Sequence, residues 1–415
     1  MFYFAGKLIN KENKMFEHPE EKISKLYLKQ IGNNETEKFG DLRQLIIENR
    51  LPRINGKINI LELGVGGGET IKELKDQLCG IDGVDVIGMD SAFMFSDNFR
   101  NTTSSEAIVA DAGLIPIKEN SLSAVNASAI LHEVSSYGVC AEDDKKVFGY
   151  KAIKKTLNEI KRCLAENGAL IYRDVACPKN RLEIKTVDYE RKSWQMFIDV
   201  YIPILRDASK EVSSEIFNGY KMDEENGSKR ITATAQMQRE IQRHYITFRD
   251  YFRKKIFPEM GIKVIEESWF EKDKGNKQHS IELSGVALKY YINKIKPESQ
   301  TADMKNLLLN ILSDEYDDFT DEIIKKGLDE KVSDFYEEWF RREGREIYTY
   351  LEQEEIKQIA AENENSSTKG GSGLVVESEK MLPRYYYQRY LDRVIKDPEF
   401  EGKQIINFIK KNYDK

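Results

Sequence analysis

The pattern of hydrophobic and polar positions changes its period along the chain. In the first 55 residues, apolar side chains recur at helical spacing at 20–31 and again at 42–47, which predicts a charged helical extension. From residue 57, short apolar runs alternate with segments of helical charge spacing. This alternation predicts a parallel sheet with helices on both faces. The predicted elements are strands at 58–63, 84–90, 106–112, 121–134 and 169–175, and a helix at about 145–164.

The alternation stops after Pro178. The next residues, 179–260, are predicted to be a helical insertion that ends in a long basic and aromatic helix from about 233 to 256. Strand patterns return at 262–270 and 279–292, and we expect them to close the same sheet. The predicted domains are therefore a helical N-terminal extension (1–55), a sheet domain (56–293) that includes the insertion, and a mostly helical C-terminal accessory domain (298–415).

Composition limits the classes of function. Hydrophobic residues make up 40% of the 415 residues and charged residues 33%, with a net charge of −7 and a mean hydropathy of −0.59. The acidic balance argues against a protein that coats nucleic acid through bulk charge. No apolar run is long enough for a membrane helix and no signal peptide is visible, so we expect a cytoplasmic protein. The four cysteines and four histidines lack metal-ligand spacing, so no metal site is predicted.

The most informative segment is a glycine-rich loop between a predicted strand and a predicted helix. It contains Gly64, Gly66 and Gly68, which allow a sharp turn and a close approach of a ligand to the backbone. A dinucleotide-binding loop would need a further glycine at the position of Glu69. An acid at this helix start disfavours a pyrophosphate, so the loop suits an adenosine ligand without phosphates.

Two acids follow at the ends of the next two predicted strands. Asp90 is placed to accept hydrogen bonds from ribose hydroxyls, and Asp111 to accept one from an adenine amino group. Each feature alone is also explained by an ordinary turn or a helix cap. Three such features in order, each at the carboxyl end of a strand, favour a nucleoside-binding site.

Together these segments resemble the class I S-adenosylmethionine-dependent methyltransferases. The glycine loop resembles that family's first motif, Asp90 its ribose-binding acid, and residues 109–125 its adenine loop and fourth strand. The likeness covers about 56–178 and 261–293. It implies an α/β fold with a Rossmann-like seven-stranded sheet, helices on both faces and a helical insertion between strands five and six. It also implies S-adenosyl-L-methionine as the cofactor.

Residue by residue, the resemblance implies three groups of contacts with the cofactor. The methionine and ribose side would be lined by Glu62, Gly64, Gly66 and Gly68. The ribose hydroxyls would be bound by Asp90, next to Ser91, and the adenine by Asp111 and Ala112. The sulfonium would lie near the end of the fourth strand, from Ala129 to Leu131.

Catalytic candidates follow the fourth and fifth strands. His132 and Glu133 are the best-placed pair for removing a proton from an acceptor, and Asp174 and Arg173 lie at the same predicted rim. Local packing of His132 with a solvent-facing Glu133 is the alternative, because methyl transfer can proceed by positioning alone. The motif after the fourth strand that is typical of amino-methylating nucleic-acid enzymes is missing.

The insertion is the predicted substrate region, because it would lie over the carboxyl edge of the sheet. Residues 229–256 hold eight basic and two acidic side chains, interleaved with aromatic ones. Two interpretations are open: a clamp for phosphates and bases, or an amphipathic helix with an aromatic core face. The aromatic spacing favours the core face for the aromatics, and the arginines fit either. The candidate substrate-binding residues are Arg173, Arg239, Arg243, Arg249 and Tyr245.

Three hypotheses of function therefore remain. The first is a methyltransferase that acts on RNA or a nucleotide-like substrate, with the basic insertion as a clamp. The second is a methyltransferase for a small metabolite enclosed by the same helices. The third is a cofactor-binding scaffold that docks a protein partner through its C-terminal region, where a second Arg/Tyr cluster occurs at 383–390. The sequence predicts neither the accepting atom nor the oligomeric state.

Overall fold

A computed structural model of the chain describes residues 35–66, 68–78, 80–140, 145–208, 216, 219–270, 273–294, 305–329, 333–362, 372–382, 385–395 and 403–412. The strands are β1 (Ile58–Leu63), β2 (Val84–Asp90), β3 (Glu106–Val109), β4 (Leu122–Ser128), β5 (Val139–Cys140), β6 (Lys146–Val147), β7 (Leu164–Val175), β8 (Ile184–Tyr189), β9 (Lys221–Glu225), β10 (Ser228–Thr234), β11 (Ile262–Phe270), β12 (Asp273–Ser284), β13 (Asn306–Leu312), β14 (Ser372–Leu382) and β15 (Lys403–Asn412).

The helices alternate with these strands in the first part of the chain and dominate the later part. They are α1 (Glu35–Ile47), α2 (Glu69–Gln77), α3 (Phe93–Thr103), α4 (Leu131–Tyr137), α5 (Gly149–Cys163), α6 (Lys192–Ala208), α7 (Ala235–Met260), α8 (Gly285–Lys294), α9 (Ser313–Asp329), α10 (Ser333–Trp339), the π-helix Phe340–Gly344, α11 (Gln353–Ala361) and α12 (Tyr385–Val394). Over the part of the chain that the structure describes, no helix is both long enough and apolar enough to cross a bilayer.

The chain divides into two compact units. The first consists of residues 1–177, 346–382 and 402–415, and the second of residues 178–345 and 383–401. The predicted domain boundaries at 56–293 and 298–415 do not coincide with these units, because parts of the C-terminal region belong to each of them.

The first unit is built on a seven-stranded sheet with the order β14-β15-β7-β4-β1-β2-β3. Strands β1, β2, β3, β4 and β7 pair in parallel, and β15 is antiparallel to both β7 and β14. The predicted Rossmann-like α/β sheet is therefore confirmed. Its parallel strands are largely buried, in keeping with helices on both faces.

The described part of the N-terminal extension belongs to the core of this unit. Helix α1 buries Phe39, Leu42 and Leu45 in a cluster with Ile58 and Ile60 of β1. The helix predicted at 42–47 is therefore part of α1, whereas the helix predicted at 20–31 lies outside the described residues.

The prediction for the last two strands of the large sheet is wrong. Strand β12 has a neighbour on each edge within a separate three-stranded antiparallel sheet, β11-β12-β13, so it cannot pair with β7. The strand predicted at 279–292 also ends at Ser284, where Gly285 begins α8. Strands β14 and β15, from the region predicted to be mostly helical, occupy the two positions instead.

The second unit contains more strand than predicted. A three-stranded antiparallel sheet, β8-β10-β9, lies within the insertion that was predicted to be helical. The long helix was predicted at 233–256 and is α7. It begins after Thr234, whose hydroxyl accepts a hydrogen bond from the Met237 amide at 3.2 Å, and ends at Gly261 with φ of 86°.

Candidate active site

Backbone hydrogen bonds fix the order of the predicted site residues along one edge of the large sheet. The Gly64 amide donates to the Met89 carbonyl at 2.9 Å, and the Ala110 amide donates to the Asp90 carbonyl at 3.0 Å. The end of β1 is therefore beside the end of β2, and the end of β2 is beside the segment that leads to Asp111. The two acids and the glycine loop, which are separate in the sequence, meet at the carboxyl edge of the sheet.

The glycine loop turns through backbone conformations that other residues rarely adopt. The φ angles are +76° at Gly64, +51° at Gly66 and +83° at Gly68, the residue that precedes α2. A Cβ atom built on Gly64 would lie 2.7 Å from Cδ1 of Ile130. The loop is therefore packed against the segment that follows β4.

The side chain of Glu62 is held at the end of β1. It is only 6% exposed, and its Oε2 accepts a hydrogen bond from Nδ2 of Asn126 at 2.8 Å. Asn126 lies opposite Glu62 on the neighbouring strand β4. A buried carboxylate needs such donors, so this pair fixes the position of the acid at the edge.

The two acids that follow β2 and β3 both stabilise their own turns. Asp90 is half-buried, and its Oδ1 accepts a hydrogen bond from the Ala92 amide at 2.9 Å. The Oδ1 and Oδ2 atoms of Asp111 accept hydrogen bonds from the amides of Gly113 at 2.7 Å and Cys140 at 3.1 Å. Each carboxylate oxygen has two lone pairs, so these contacts are compatible with a ligand as well. The neighbouring Ser91 is exposed and Ala112 is half-buried.

The residues after β4 that are predicted to lie near the sulfonium differ in how far they are buried. Ala129 is half-buried and has φ of +58°, a strained conformation for alanine, and its amide donates to the Arg173 carbonyl at 2.7 Å. Leu131, by contrast, has no exposed surface. The predicted cofactor contact of Leu131 does not fit this structure, because its side chain is closed off in the core.

His132 is the centre of a buried polar network. Its Nδ1 lies 2.8 Å from Oδ1 of Asp174, and its backbone amide donates to Oδ2 of the same residue at 3.1 Å. On the other side of the ring, Nε2 lies 3.4 Å from Oε2 of Glu346. Strands β4 and β7 are neighbours, so the two strand ends bring His132 and Asp174 together as the sequence predicts.

The two carboxylates affect the pKa of the histidine. Burial by itself lowers the pKa of His132, but Asp174 and Glu346 outweigh this effect and raise the pKa well above its usual value. Burial raises the pKa of Asp174, but the histidine and two backbone amides lower it below its usual value. A histidine whose two ring nitrogens both face carboxylates is poorly placed to take a proton from an acceptor, so the geometry does not favour a role for His132 as a base, which stays a prediction.

Sequence reasoning missed the residues that complete this network. The Tyr350 hydroxyl donates to Oδ2 of Asp174 at 3.1 Å and is 2.6 Å from the Tyr172 hydroxyl, and the Tyr348 ring lies 5.0 Å from the His132 ring. Tyr172 belongs to the predicted strand at 169–175, but Glu346, Tyr348 and Tyr350 come from a segment far along the chain, with no motif to mark it. Only the folded structure shows that this segment belongs to the first unit.

The residues predicted to bind phosphates or substrate are not at the surface. Arg173 is 1% exposed, and its Nη1 donates to the Ser128 hydroxyl at 3.3 Å. In the second unit, Arg239, Arg243, Arg249 and Tyr245 are at most 7% exposed. Of the two interpretations left open for this helix, the burial of these side chains favours the amphipathic helix over the phosphate clamp.

Acids of the second unit explain this burial. Arg249 pairs with Asp317 and lies 3.9 Å above the Tyr390 ring, and the Tyr245 hydroxyl donates to Oδ1 of Asp321 at 2.8 Å. Acids of α9 thus bind Arg249 and Tyr245 of the basic helix. The aromatic residues of α7 form the predicted core face, since Tyr245, Phe248 and Phe252 are all buried, the last of them 2% exposed.

The structure describes only part of the second Arg/Tyr cluster and of a glycine- and serine-rich segment before it. Pro383 and Arg384 lie outside the described residues, as does most of the glycine- and serine-rich segment at 367–373. Arg389 pairs with Asp314, and the Tyr390 hydroxyl donates to Oδ2 of Asp321 at 2.8 Å. These two members of the cluster bind acids of their own unit.

Comparisons with known proteins give one family match and several weak structural likenesses. A family model described as "Methyltransferase domain" matches residues 61–172. Among solved structures, the PH0226 protein from Pyrococcus horikoshii is 8% identical, with 91% of each chain covered and a TM-score of 0.34. The CcbJ methyltransferase from Streptomyces caelestis is 10% identical over 89% of this chain and 94% of that one, with a TM-score of 0.33. A SAM-dependent methyltransferase from Aquifex aeolicus is 17% identical over 52% and 100%, with a TM-score of 0.27.

No curated protein matches the chain. The three structural likenesses are weak, and the family model indicates a methyltransferase domain at 61–172. The matched residues run from β1 to β7, so they include the glycine loop, both acids of the sheet edge and Ala129.

Proposed function

We propose that this chain, a member of the class I S-adenosylmethionine-dependent methyltransferases, binds its cofactor along the carboxyl edge of the large sheet and methylates a small acceptor that is uncharged or cationic. The observation that carries the proposal is the alignment of the glycine loop, Asp90, Asp111 and Ala129 along adjoining strand ends. Ligands of open α/β sheets bind at this edge.

The residues at the edge fit S-adenosylmethionine. The loop presents backbone with positive φ and no Cβ atom, and the half-buried carboxylate of Asp90 can accept hydrogen bonds from the ribose hydroxyls. Glu62, held by Asn126, adds an acid that suits the positive charges of the methionine part. When bound, the cofactor supplies an activated methyl group. We assign adenine recognition to Asp111 and Ala112.

The chain's own residues position the acceptor. Methyl transfer is an in-line displacement in which the acceptor atom bonds to the methyl carbon as the carbon–sulfur bond breaks, so alignment contributes most of the rate. Ala129 and the His132 network follow β4 directly. Glu346, 5% exposed, and the half-buried Glu133 can accept hydrogen bonds from an acceptor hydroxyl or ammonium.

The electrostatics of this region favour a small acceptor over RNA. Three carboxylates, from Asp174, Glu133 and Glu346, surround His132, and without a bound cation they would repel a polyanion. Of the arginines expected to bind phosphates, Arg249 is buried with Asp317 and Asp321, and the others are at most 7% exposed. RNA methylation and a protein partner bound through the C-terminal region therefore have less support, and they become outcomes of the test.

The first test is calorimetric titration with S-adenosylhomocysteine, with NAD as the control ligand. We expect S-adenosylhomocysteine alone to bind. Replacing Asp90 by alanine should remove one or two hydrogen bonds to the ribose and weaken binding by about 1–3 kcal/mol. The matched control is Asp85→Ala on the same strand, because Asp85 is half-exposed and pairs with Lys57. Equal affinities for the two variants would exclude the ribose role.

The second test identifies the acceptor class. Methyl transfer from labelled S-adenosylmethionine is measured with a fractionated small-molecule extract and, separately, with a pool of small RNAs. We expect label in the small-molecule fraction. Label in RNA, at a level that falls steeply with salt, would contradict the proposed acceptor class.

A further inference from the structure

We propose that His132, Glu133 and Glu346 bind one divalent first-row transition-metal ion. The site belongs to the first unit and lies just beyond the carboxyl end of β4. The role that we give to the ion rests on the proposed function, whereas the binding of the ion does not depend on that function.

The spacing of the ligand atoms fits a shared ion. One nitrogen of His132 and one carboxylate oxygen from each glutamate all lie within 4.8 Å of one another. The Nε2 atom of His132 and Oε2 of Glu346 are 3.4 Å apart, which is long for a hydrogen bond. Two ligands at about 2.1 Å from a tetrahedral ion are roughly 3.4 Å apart. Among the described residues, no other three His, Cys, Asp or Glu side chains come this close.

The surroundings of the histidine match those of a metal ligand. Metal-binding histidines commonly donate their second ring N–H to a carboxylate, which fixes the ring and its tautomer. Here Asp174 faces Nδ1 at 2.8 Å and is itself held by the Tyr350 hydroxyl and the amides of Val175 and His132. In the neutral ring with Nδ1 protonated towards Asp174, the lone pair of Nε2 faces Glu346, whose Oε2 is 3.4 Å away.

The donor set indicates the class of ion and what it would do. One neutral imidazole and two carboxylates balance the charge of a divalent ion, and this mixture suits Zn²⁺, Fe²⁺ or Mn²⁺ better than Ca²⁺. Three protein ligands leave a coordination position open. An acceptor oxygen at that position would become more acidic and would be held for transfer.

The competing interpretation is an imidazolium bound to Glu346 with no ion. In that case His132, Glu346 and Asp174 form a closed ion-pair network with a purely structural role. The two interpretations differ in one measurable property, which is the binding of an added metal.

The experiment uses the full chain after removal of metals with a chelator. Zn²⁺, and separately Mn²⁺, is titrated by calorimetry, and the absorption spectrum with Co²⁺ reports the ligand type. We expect one bound ion with a spectrum of nitrogen and oxygen ligands. Glu346→Gln should weaken binding at least tenfold. The matched control is His279→Gln, because His279 is also buried and paired with a glutamate, Glu267, in the other unit. The control should bind as the unmodified chain does.

Binding of S-adenosylhomocysteine separates the two proposals. If the unmodified chain binds S-adenosylhomocysteine but no metal, the metal site is excluded and the proposed function stands. If it binds one ion but no S-adenosylhomocysteine, the cofactor site is excluded and the metal site stands. Equal metal affinity in Glu346→Gln, with S-adenosylhomocysteine binding retained, or a spectrum of thiolate ligands would also overturn the metal proposal.

Discussion

The glycine loop offers a quantitative test of how closely it packs against the segment after β4. Gly64 has φ of +76°, and an added Cβ atom would lie 2.7 Å from Cδ1, 2.8 Å from Cγ1 and 3.2 Å from Cβ of Ile130. The left-handed conformation costs an alanine about 1–2 kcal/mol. Overpacking against Ile130 adds about 1–3 kcal/mol, because rotation of that side chain cannot move its own Cβ. We therefore expect Gly64→Ala to destabilise the first unit by about 2–5 kcal/mol.

Two other glycines of the same unit separate these contributions. Gly56 has φ of +82° with nothing within 4 Å of an added Cβ, so Gly56→Ala should cost only the conformational part, about 1–2 kcal/mol. Gly40 lies inside α1, also with open space around it, so Gly40→Ala should stabilise the unit by about 0.5–1 kcal/mol.

Stability is measured by hydrogen exchange of peptides from β1 and β4, because the three tryptophans of the chain, at 194, 269 and 339, all belong to the second unit. The double variant Gly64→Ala with Ile130→Ala should recover about 1–3 kcal/mol relative to additivity. S-adenosylhomocysteine affinity of Gly64→Ala should fall about tenfold or more, a loss of about 1.4 kcal/mol. Equal stabilities of Gly64→Ala and Gly56→Ala, or no coupling with Ile130, would refute the reasoning.

Three further predictions follow from single contacts. Ala129→Gly should relieve the strain of φ +58° and stabilise the first unit by about 1 kcal/mol in the same exchange assay; a loss of stability would contradict this. Tyr245→Phe should leave the buried Asp321 with one hydrogen-bond donor fewer and destabilise the second unit by about 1–3 kcal/mol. Unfolding in urea is followed by tryptophan fluorescence, and an unchanged midpoint would contradict this prediction. The hydrogen bond from His279 and the nearby Lys277 lower the pKa of Glu267 to about 2. The ionised Glu267 therefore stabilises the folded protein above the pKa that this residue has in the unfolded chain, and this stabilisation is lost as the pH falls from about 4.5 towards 2. Because 42% of the Glu267 side chain is exposed, the loss should be about 1 kcal/mol or less, and His279→Gln should raise the pKa in an NMR titration.

Local patterns predicted the parallel half of the fold. Strands β1 and β2 have the bounds that their apolar runs indicate, because each run is short, ends in a turn and is buried. The position of Asp90 at a strand end follows from the same pattern. Since parallel strands place their carboxyl ends at one edge, the sequence was sufficient to group Gly64, Asp90 and Asp111.

The pairing of strands that are distant in the sequence could not be predicted from local patterns of apolar and polar residues. Strand β12 is mostly polar and alternates only near its end, whereas β15 has an almost continuous apolar run at 405–409, but neither pattern records which partner each strand meets. Strand β12 is enclosed by β11 and β13, which leaves β7 to pair with β15. Hydrogen bonding along a strand edge depends on what lies beside it in space, which no periodicity records.

The charged residues show the same difference between what the sequence predicts and what the tertiary structure adds. The sequence by itself determined that the chain has a nucleoside-type sheet edge, an acidic balance and a basic helix. Only the tertiary structure decided that Arg249 would be buried against Asp317 and that Glu346 would reach His132. The physical reason is that a charged side chain is buried only where a partner compensates its desolvation, and these partners come from segments that only the fold brings together.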